Sequence, residues 1–236
     1  MIDHLAVIIP AHNEEDEIVD CLTSVVCSAV LAQRKDPELR VQVIVVADAC
    51  TDGTHDVVAG FAQQNPLVEI LSTSYSNVGR ARDAAGRLLL RSLRDAHPQA
   101  LETAWMAFTD ADSRVPEQWV ATHLHEALLG ADCLVGTVAP RPETGSADLI
   151  ARWHETHHLV EDHPYVFGAN LGLRAAYFER IEGIPALSCG EDAAVVAEIL
   201  KAGGKVRRTD SCRVLTSARL DGRVQGGFST YLQSLI

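Results

Sequence analysis

Several groups of residues in this chain have the types and spacing that chemistry needs. "WMAFTDADSRVP" (105–116) runs from an apolar stretch into Asp110 and Asp112, one alanine apart. In an extended chain residues i and i+2 point the same way, so the two carboxylates crowd one region and repel. A divalent cation beside them removes the conflict, because hard cations such as Mg2+ or Mn2+ take oxygen ligands. The plainer reading is a helix N-cap, since Asp and Ser commonly precede helices and Pro116 can begin one. "GEDAAVVAEILKAGG" (190–204) sets Glu191 and Asp192 at the start of a strongly helical segment with a glycine stop. There the pair can act as a base or simply cap a helix, whose N-terminal partial positive charge suits acidic residues. "HETHH" (154–158) satisfies H-E-x-x-H. On a helix, His154 and His158 lie one turn apart and can bind Zn2+, with Glu155 as the base. The plain alternative is a polar helix in a chain with ten histidines, where a chance match is not remote.

The elements that must position these groups are legible as an alternation. "LAVII" (5–9), "VQVIVVA" (41–47), "LVEILS" (67–72), "WMAFT" (105–109) and "DCLVGTVA" (132–139) predict strands. The first two are short, continuous, Val- and Ile-rich runs, as strands covered on both faces should be. Between the strands, residues 13–34, 54–64, 79–96 and 116–129 have apolar residues at helical spacing. The alternation predicts an α/β fold with a mainly parallel, Rossmann-like sheet and helices on both faces. Ligands bind at the carboxyl ends of strands in such sheets. Three polar signatures fall there: "PAHNEE" (10–15), "ADACTDGT" (47–54) and "TDADS" (109–113). No GxGxxG follows the first strand, which speaks against a dinucleotide site. "APRPETGSAD" (139–148) is the expected break between two halves of one domain, 1–138 and a less regular 139–236. That second half is read as a helix near 147–161, a loop through "DHPYVFGAN" (162–170), and the helix that begins at Glu191.

Bulk composition narrows the classes. The 236 residues include 32 acidic and 20 basic side chains, for a formal net charge of −12. Nucleic acid is therefore a poor partner, since phosphate backbones call for a basic surface. An anionic substrate would need a metal or local arginines to offset repulsion. The six cysteines are scattered without a CxxC pair and are expected to be free and buried. No apolar run approaches the roughly 18 residues of a membrane span, and no N-terminal signal is visible. The expectation is a soluble cytoplasmic protein, able to work at the periphery of a membrane.

Read in order, the motifs resemble those of family 2 glycosyltransferases with the GT-A fold, from Leu5 to about Phe228. "VIIPAHNEEDEIVDCLTSV" resembles the family's opening strand and turn. "VIVVADACTDGTHDVV" resembles its second, where many members read D-D-G-S-T-D; here Ala47 holds the first place and Asp48 the second. "NVGRARDAAG" resembles the N-x-G-x-x-x-A-R-N-x-G segment, with Asp83 in place of the usual Asn. "DAD" is the D-x-D. "GANLGLRAAYF" resembles the acceptor-side loop and "GEDAAVVAEILKAGGKV" the E-D motif with its helix.

The resemblance implies a hexosyltransferase that uses a nucleoside-diphosphate sugar and a divalent cation. UDP-glucose or another UDP-hexose is the leading donor, GDP-mannose the next, and the acceptor is unknown. Pro10, Ala11, His12, Asn13 and Glu14 would line the nucleoside pocket. Asp48 would hydrogen-bond the base, and Gly79, Arg80 and Arg82 would lie near base and diphosphate. Asp110 would face ribose and metal, and Asp112 would ligate the metal directly. Asp192 would be the catalytic base with Glu191 beside it, and displacement from its side would invert the anomeric centre. "TSARLDGRVQGGF" (216–228) lacks the histidine that some GT-A enzymes add as a metal ligand; Ser217, Arg219 and Arg223 stand there instead, able to contact phosphate. On the acceptor side, Trp153 is expected along a groove and Tyr165 and Phe167 as stacking platforms, with Asn170 in the same loop. Trp105 and Trp119 read as core.

Three other classes compete. A zinc metalloprotease through His154, Glu155 and His158 leaves the three strand-end signatures without a purpose. A nucleotidyltransferase should carry a Gly-rich, basic phosphate loop after the first strand, where "PAHNEE" is acidic. A sugar-nucleotide-binding module without catalysis has no use for an intact D-x-D together with Glu191 and Asp192.

Overall fold

The structure is a computed structural model that describes residues 1–236 except 97, 98, 188 and 223–226. Its strands are β1 (His4–Ala11), β2 (Arg40–Asp48), β3 (Val68–Thr73), β4 (Ala104–Phe108), β5 (Ser113–Arg114), β6 (Cys133–Pro140), β7 (Leu171–Arg174) and β8 (Val206–Thr216). The helices are α1 (Ile18–Lys35), α2 (Thr54–Gln64), α3 (Val78–Ala96), α4 (Trp119–Leu128), α5 (Ala147–Thr156), α6 (Ala175–Arg180), α7 (Glu191–Lys201) and α8 (Phe228–Gln233). All eight strands join one sheet in the order β3-β2-β1-β4-β7-β6-β8-β5.

The β3-β2-β1-β4 part is parallel throughout. The period-2 alternation of a strand sorts its side chains into two cores. Leu5, Val7 and Ile9 of β1 join Val43 and Val45 of β2 and Trp105 of β4 beneath α1, α2 and α4. Ala6, Ile8, Ile44, Met106 and Phe108 face the other way, onto α3, α6 and α7. This is why the sequence reads as unbroken apolar runs, and it sets helices on both faces as expected.

The sheet then turns mixed. β7 pairs antiparallel with both β4 and β6, while β8 runs parallel to β6. Neither β7 nor β8 was expected. β7 has only four residues, between a turn and α6. β8, "VRRTDSCRVLT", is too polar to read as a buried strand, and its register against β6 shifts between Gly136 and Val138. One sheet therefore carries both halves, with β6 ending at Pro140 within the expected break.

Helix ends also moved. α1 starts at Ile18 rather than at Asn13, because Asn13 takes a left-handed φ of 57° and turns the chain. α5 stops at Thr156, well short of 161. It begins with an Ser146 cap, whose hydroxyl accepts from Leu149 N at 3.2 Å. All six cysteines are free, but only Cys21, Cys133 and Cys212 are buried; Cys27 and Cys189 are exposed. No helix among the described residues is long and apolar enough to cross a membrane.

Candidate active site

The β1–α1 and β2–α2 turns are sewn together at the carboxyl ends of their strands. Asn13 Oδ1 accepts from Thr51 N at 2.7 Å, and Glu14 N donates to Thr54 Oγ1 at 2.7 Å. His12 Nδ1 donates to the Asp48 carbonyl at 2.7 Å. Asp48 itself is buried, and its carboxylate accepts from Thr73 Oγ1 (2.9 Å), Tyr75 N (2.6 Å) and Asn77 N (2.9 Å). The negative charge at the end of β2 is thus held by the last residue of β3 and the loop after it.

Two arginines organise the acidic groups. Arg82, on α3 and 4% exposed, donates to Asp110 Oδ1 at 2.5 Å and to Glu191 Oε1. A side chain on Gly168 would collide with it, the added carbon lying 2.7 Å from Arg82 Nη1. Arg219, just after β8, grips Glu14 with both Nη atoms (2.7 and 2.5 Å) and reaches Asp112 Oδ2 at 3.1 Å. Thr216 Oγ1 donates to Asp112 Oδ1 at 3.2 Å, positioned by the pairing of β5 with β8. Burial pushes the Asp112 carboxyl up to about 6; Arg219 opposes the rise, and Asp110 and Glu14 add to it. Burial likewise raises Glu191, against the pull of Arg82.

Asp192 differs from its neighbour. Gly190, at φ 79°, swings the chain into α7, so that Glu191 points at Arg82 in the interior while Asp192 stays half-exposed. Only glycine adopts such a φ readily. The Asp192 carboxylate accepts from Ala193 N at 2.7 Å.

These groups line a single cleft of about 550 Å³, bordered by Pro10, Ala11, His12, Glu14 and Asp48 near β1 and β2. Arg82, Asp110, Asp112, Glu191 and Asp192 line its middle, and Trp153, His157, Phe167, Phe228 and Tyr231 its other end.

A model of glycosyl transferase family 2 matches residues 6–174. The chain belongs to glycosyltransferase family 2. Among solved structures, S. aureus TarS 1-349 is similar at 16% identity, with a TM-score of 0.63 over 94% of this chain and 62% of that one. Mannosyltransferase PcManGT from Pyrobaculum calidifontis, in complex with GDP-Man and Mn2+, is similar at 19% identity, with a TM-score of 0.66 over 93% of this chain and 58% of that one. GalNAc-T7 with UDP, GalNAc and Mn2+ is similar at 15% identity, with a TM-score of 0.65 over 94% of this chain and 44% of that one. These likenesses show the GT-A fold. The family-2 chain spans less than two thirds of each of these relatives. No curated protein matches it.

The site of this family-2 chain suits a hard cation, though not as a closed cage. Among the described residues no three His, Cys, Asp or Glu side chains converge to hold a metal by themselves. Mg2+ and Mn2+ do not need that, since such ions are commonly held by one or two carboxylates with water and substrate phosphates. Asp110 and Asp112 offer such a pair of carboxylates; burial raises the Asp112 carboxyl, Asp110 and Glu14 add to the rise, and a bound cation would favour its ionised form.

Other expectations need revising. Gly79 is buried against the Pro185 carbonyl, and Arg80 points to solvent with only its backbone N bonded, to Asn77 Oδ1 at 2.9 Å. Neither borders the cleft, and nor does Asn13, which is spent on the Thr51 turn. Asn170 is fully buried: its Oδ1 accepts from Trp119 Nε1 at 2.9 Å, and its Nδ2 donates to Thr137 O and Cys212 O. It fastens β6, β8 and α4 together instead of touching an acceptor. Asn170→Ala should lower the unfolding free energy by about 1–3 kcal/mol in urea titration, because the Trp119 donor and two carbonyls lose their partner. Tyr165 stands behind the cleft wall, its hydroxyl accepting from His158 N at 3.0 Å. Arg223 lies outside the described residues.

The zinc motif fails on geometry. Because α5 ends at Thr156, His158 is not one helical turn from His154, and both are exposed. Metal analysis of the purified protein should find no stoichiometric zinc. Zinc that disappears in both His154→Ala and His158→Ala would restore the protease reading.

Proposed function

We propose that the chain moves a hexose from a nucleoside-diphosphate sugar to an acceptor hydroxyl with inversion, and that its donor is a UDP-hexose, UDP-glucose first and GDP-mannose second. The observation that carries this reading is that Asp48, the Asp110–Asp112 pair and Asp192 border one cleft. Asp48 supports base recognition, because a carboxylate accepts from a ring N–H. Solved structures of TarS and GalNAc-T7 hold UDP and that of PcManGT holds GDP-Man, so the base is a matter for direct test.

In the reaction, the bond between the anomeric carbon and the diphosphate oxygen breaks as the acceptor oxygen bonds to that carbon. The electron pair leaves with the diphosphate, and the acceptor's proton passes to Asp192. Asp110 and Asp112 would hold a Mg2+ or Mn2+ ion, whose chemistry when bound is Lewis-acid stabilisation of the departing diphosphate's charge. Arg82 fixes Asp110 and Glu191 on either side of the reacting region. Arg219 brings a second cation to the same place, within reach of Asp112. Asp192, half-exposed at the border of the cleft, would take the acceptor proton as a general base.

A thermal-shift panel of UDP-glucose, UDP-galactose, UDP-N-acetylglucosamine and GDP-mannose, each with and without Mn2+, tests the reading. A rise in melting temperature for one nucleotide sugar that needs Mn2+ is the expected result. No shift with any of them would overturn it.

A further inference from the structure

The far end of the cleft is built from rings. His157 follows α5, and its imidazole lies flat on Trp153, with centroids 3.5 Å apart and planes 9° apart. Tyr165 and Tyr231 stand around the same imidazole at centroid distances of 4.8 and 5.3 Å, and Phe228 packs on Trp153 at 4.9 Å. Trp153 is 1% exposed, whereas Tyr231 keeps 39% of its surface open. The buried indole is therefore a base plate, Tyr165 backs the imidazole from outside the cleft, and His157, Phe228 and Tyr231 offer the faces that line it.

The imidazole has a defined polarity. Its Nδ1 lies 3.0 Å from Thr156 Oγ1 and 3.2 Å from the Trp153 carbonyl; the Thr156 hydroxyl donates to that same carbonyl at 3.0 Å, so both oxygens accept from the imidazole and Nδ1 carries the proton. Nε2 then keeps the ring's lone pair, in a residue that lines the cleft. Burial pushes the His157 pKa down and His154 adds to the fall, against the hydrogen bond to Trp153, so the ring stays neutral.

We infer that this end is a subsite for a neutral pyranose, a saccharide acceptor that donates one hydroxyl to His157 Nε2 while presenting another to Asp192. The inference rests on the transfer reading above for the role of Asp192. A pyranose has flat C–H faces that pack on aromatic rings and several hydroxyls that donate. Apolar rings with a few placed polar groups are the make-up of a small-molecule site. A lipid alcohol or a phenol has a single hydroxyl and can satisfy Asp192 or His157, not both. An anionic acceptor would meet the half-exposed carboxylate of Asp192. The "HETHH" run thus contributes its middle histidine to the cleft, not the two that spell a zinc site.

Saturation-transfer NMR tests this with methyl β-D-glucopyranoside, methyl β-D-galactopyranoside and methyl α-D-mannopyranoside, with phenol and 1-hexanol as comparators, all with UDP and Mn2+ present. At least one pyranoside should bind. His157→Phe keeps the stack on Trp153 but removes the lone pair, and should weaken that binding about three- to tenfold. His157→Gln restores an acceptor near the Nε2 position and should recover most of it. UDP affinity with Mn2+, read by calorimetry on the same samples, reports folding and the donor site separately. Binding of phenol or hexanol in place of every pyranoside overturns the inference, as does no pyranoside binding in protein that binds UDP, or equal binding in His157→Phe. Pyranoside binding without UDP binding would instead fault the donor reading and leave this subsite standing.

Discussion

Asp192→Asn should lower the rate of sugar transfer by roughly 10²–10⁴-fold, the usual share of a general base. Affinity for UDP with Mn2+ should stay unchanged. The contrast with Glu191 makes the assignment. Both residues open α7, but Glu191 is 6% exposed and held by Arg82, so its carboxylate already has a structural task. Asp192 is half-exposed and borders the cleft. The competing role for Asp192 is that of an acid in the first turn of α7, whose charge against the helix dipole is worth about 0.3–1 kcal/mol. Asn would forfeit that charge at a small cost in stability and none in turnover, so this substitution separates the two roles. Donor affinity and turnover have to be measured on one preparation. Near-normal turnover would return Asp192 to a helix-end role and leave Glu191 as the next candidate.

Asp112→Ala should abolish the Mn2+ dependence of UDP binding in calorimetry. Removing a group that hydrogen-bonds to a metal's ligand typically costs about 10–100-fold in metal affinity, so removing a direct ligand should cost more than about 100-fold. Misfolding is not the expected cause of such a loss. The folded-state pKa of Asp112 is raised to about 6 from 3.8, so the ionised carboxylate opposes folding. Its contribution favours the fold below about pH 4 and is lost as pH rises towards 6. Removing it should therefore leave the melting temperature at neutral pH unchanged or higher. Intact Mn2+-dependent affinity in Asp112→Ala would rule out this residue as the ligand.

The parallel half of the sheet was legible because its strands are buried on both faces and written in Val, Ile and Ala. The site residues at those strand ends, Asp48, Asp110 and Asp112, were legible with them. β8 hid for the opposite reason. Arg207, Arg208, Asp210 and Arg213 lie along it, and most of their charges are met by Glu161, Asp162 and each other at the surface. The Glu14–Arg219 contact spans 205 positions, and no local pattern announces a partner that distant. Arg82 could be placed near the phosphates from its motif, but its bridging of Asp110 to Glu191 depends on α3 and α7 sharing a face of the sheet. His157 was missed because the motif around it drew attention to its neighbours. Only the end of α5 at Thr156 separates the three histidines by role.

The three hydrogen bonds that converge on Asp48 bear on how a base would be chosen. Thr73 ends β3, Tyr75 and Asn77 lie in the loop after it, and all three donate to the carboxylate within the fold. The entropy of ordering that loop is lost when the protein folds, not when a nucleotide arrives. A base entering there meets a rigid template with acceptor directions already set, and the wall cannot rearrange to suit a poor match without breaking bonds of its own. Discrimination then comes from the misfit of the wrong base, which is left with unpaired polar edges, more than from any gain on the right one.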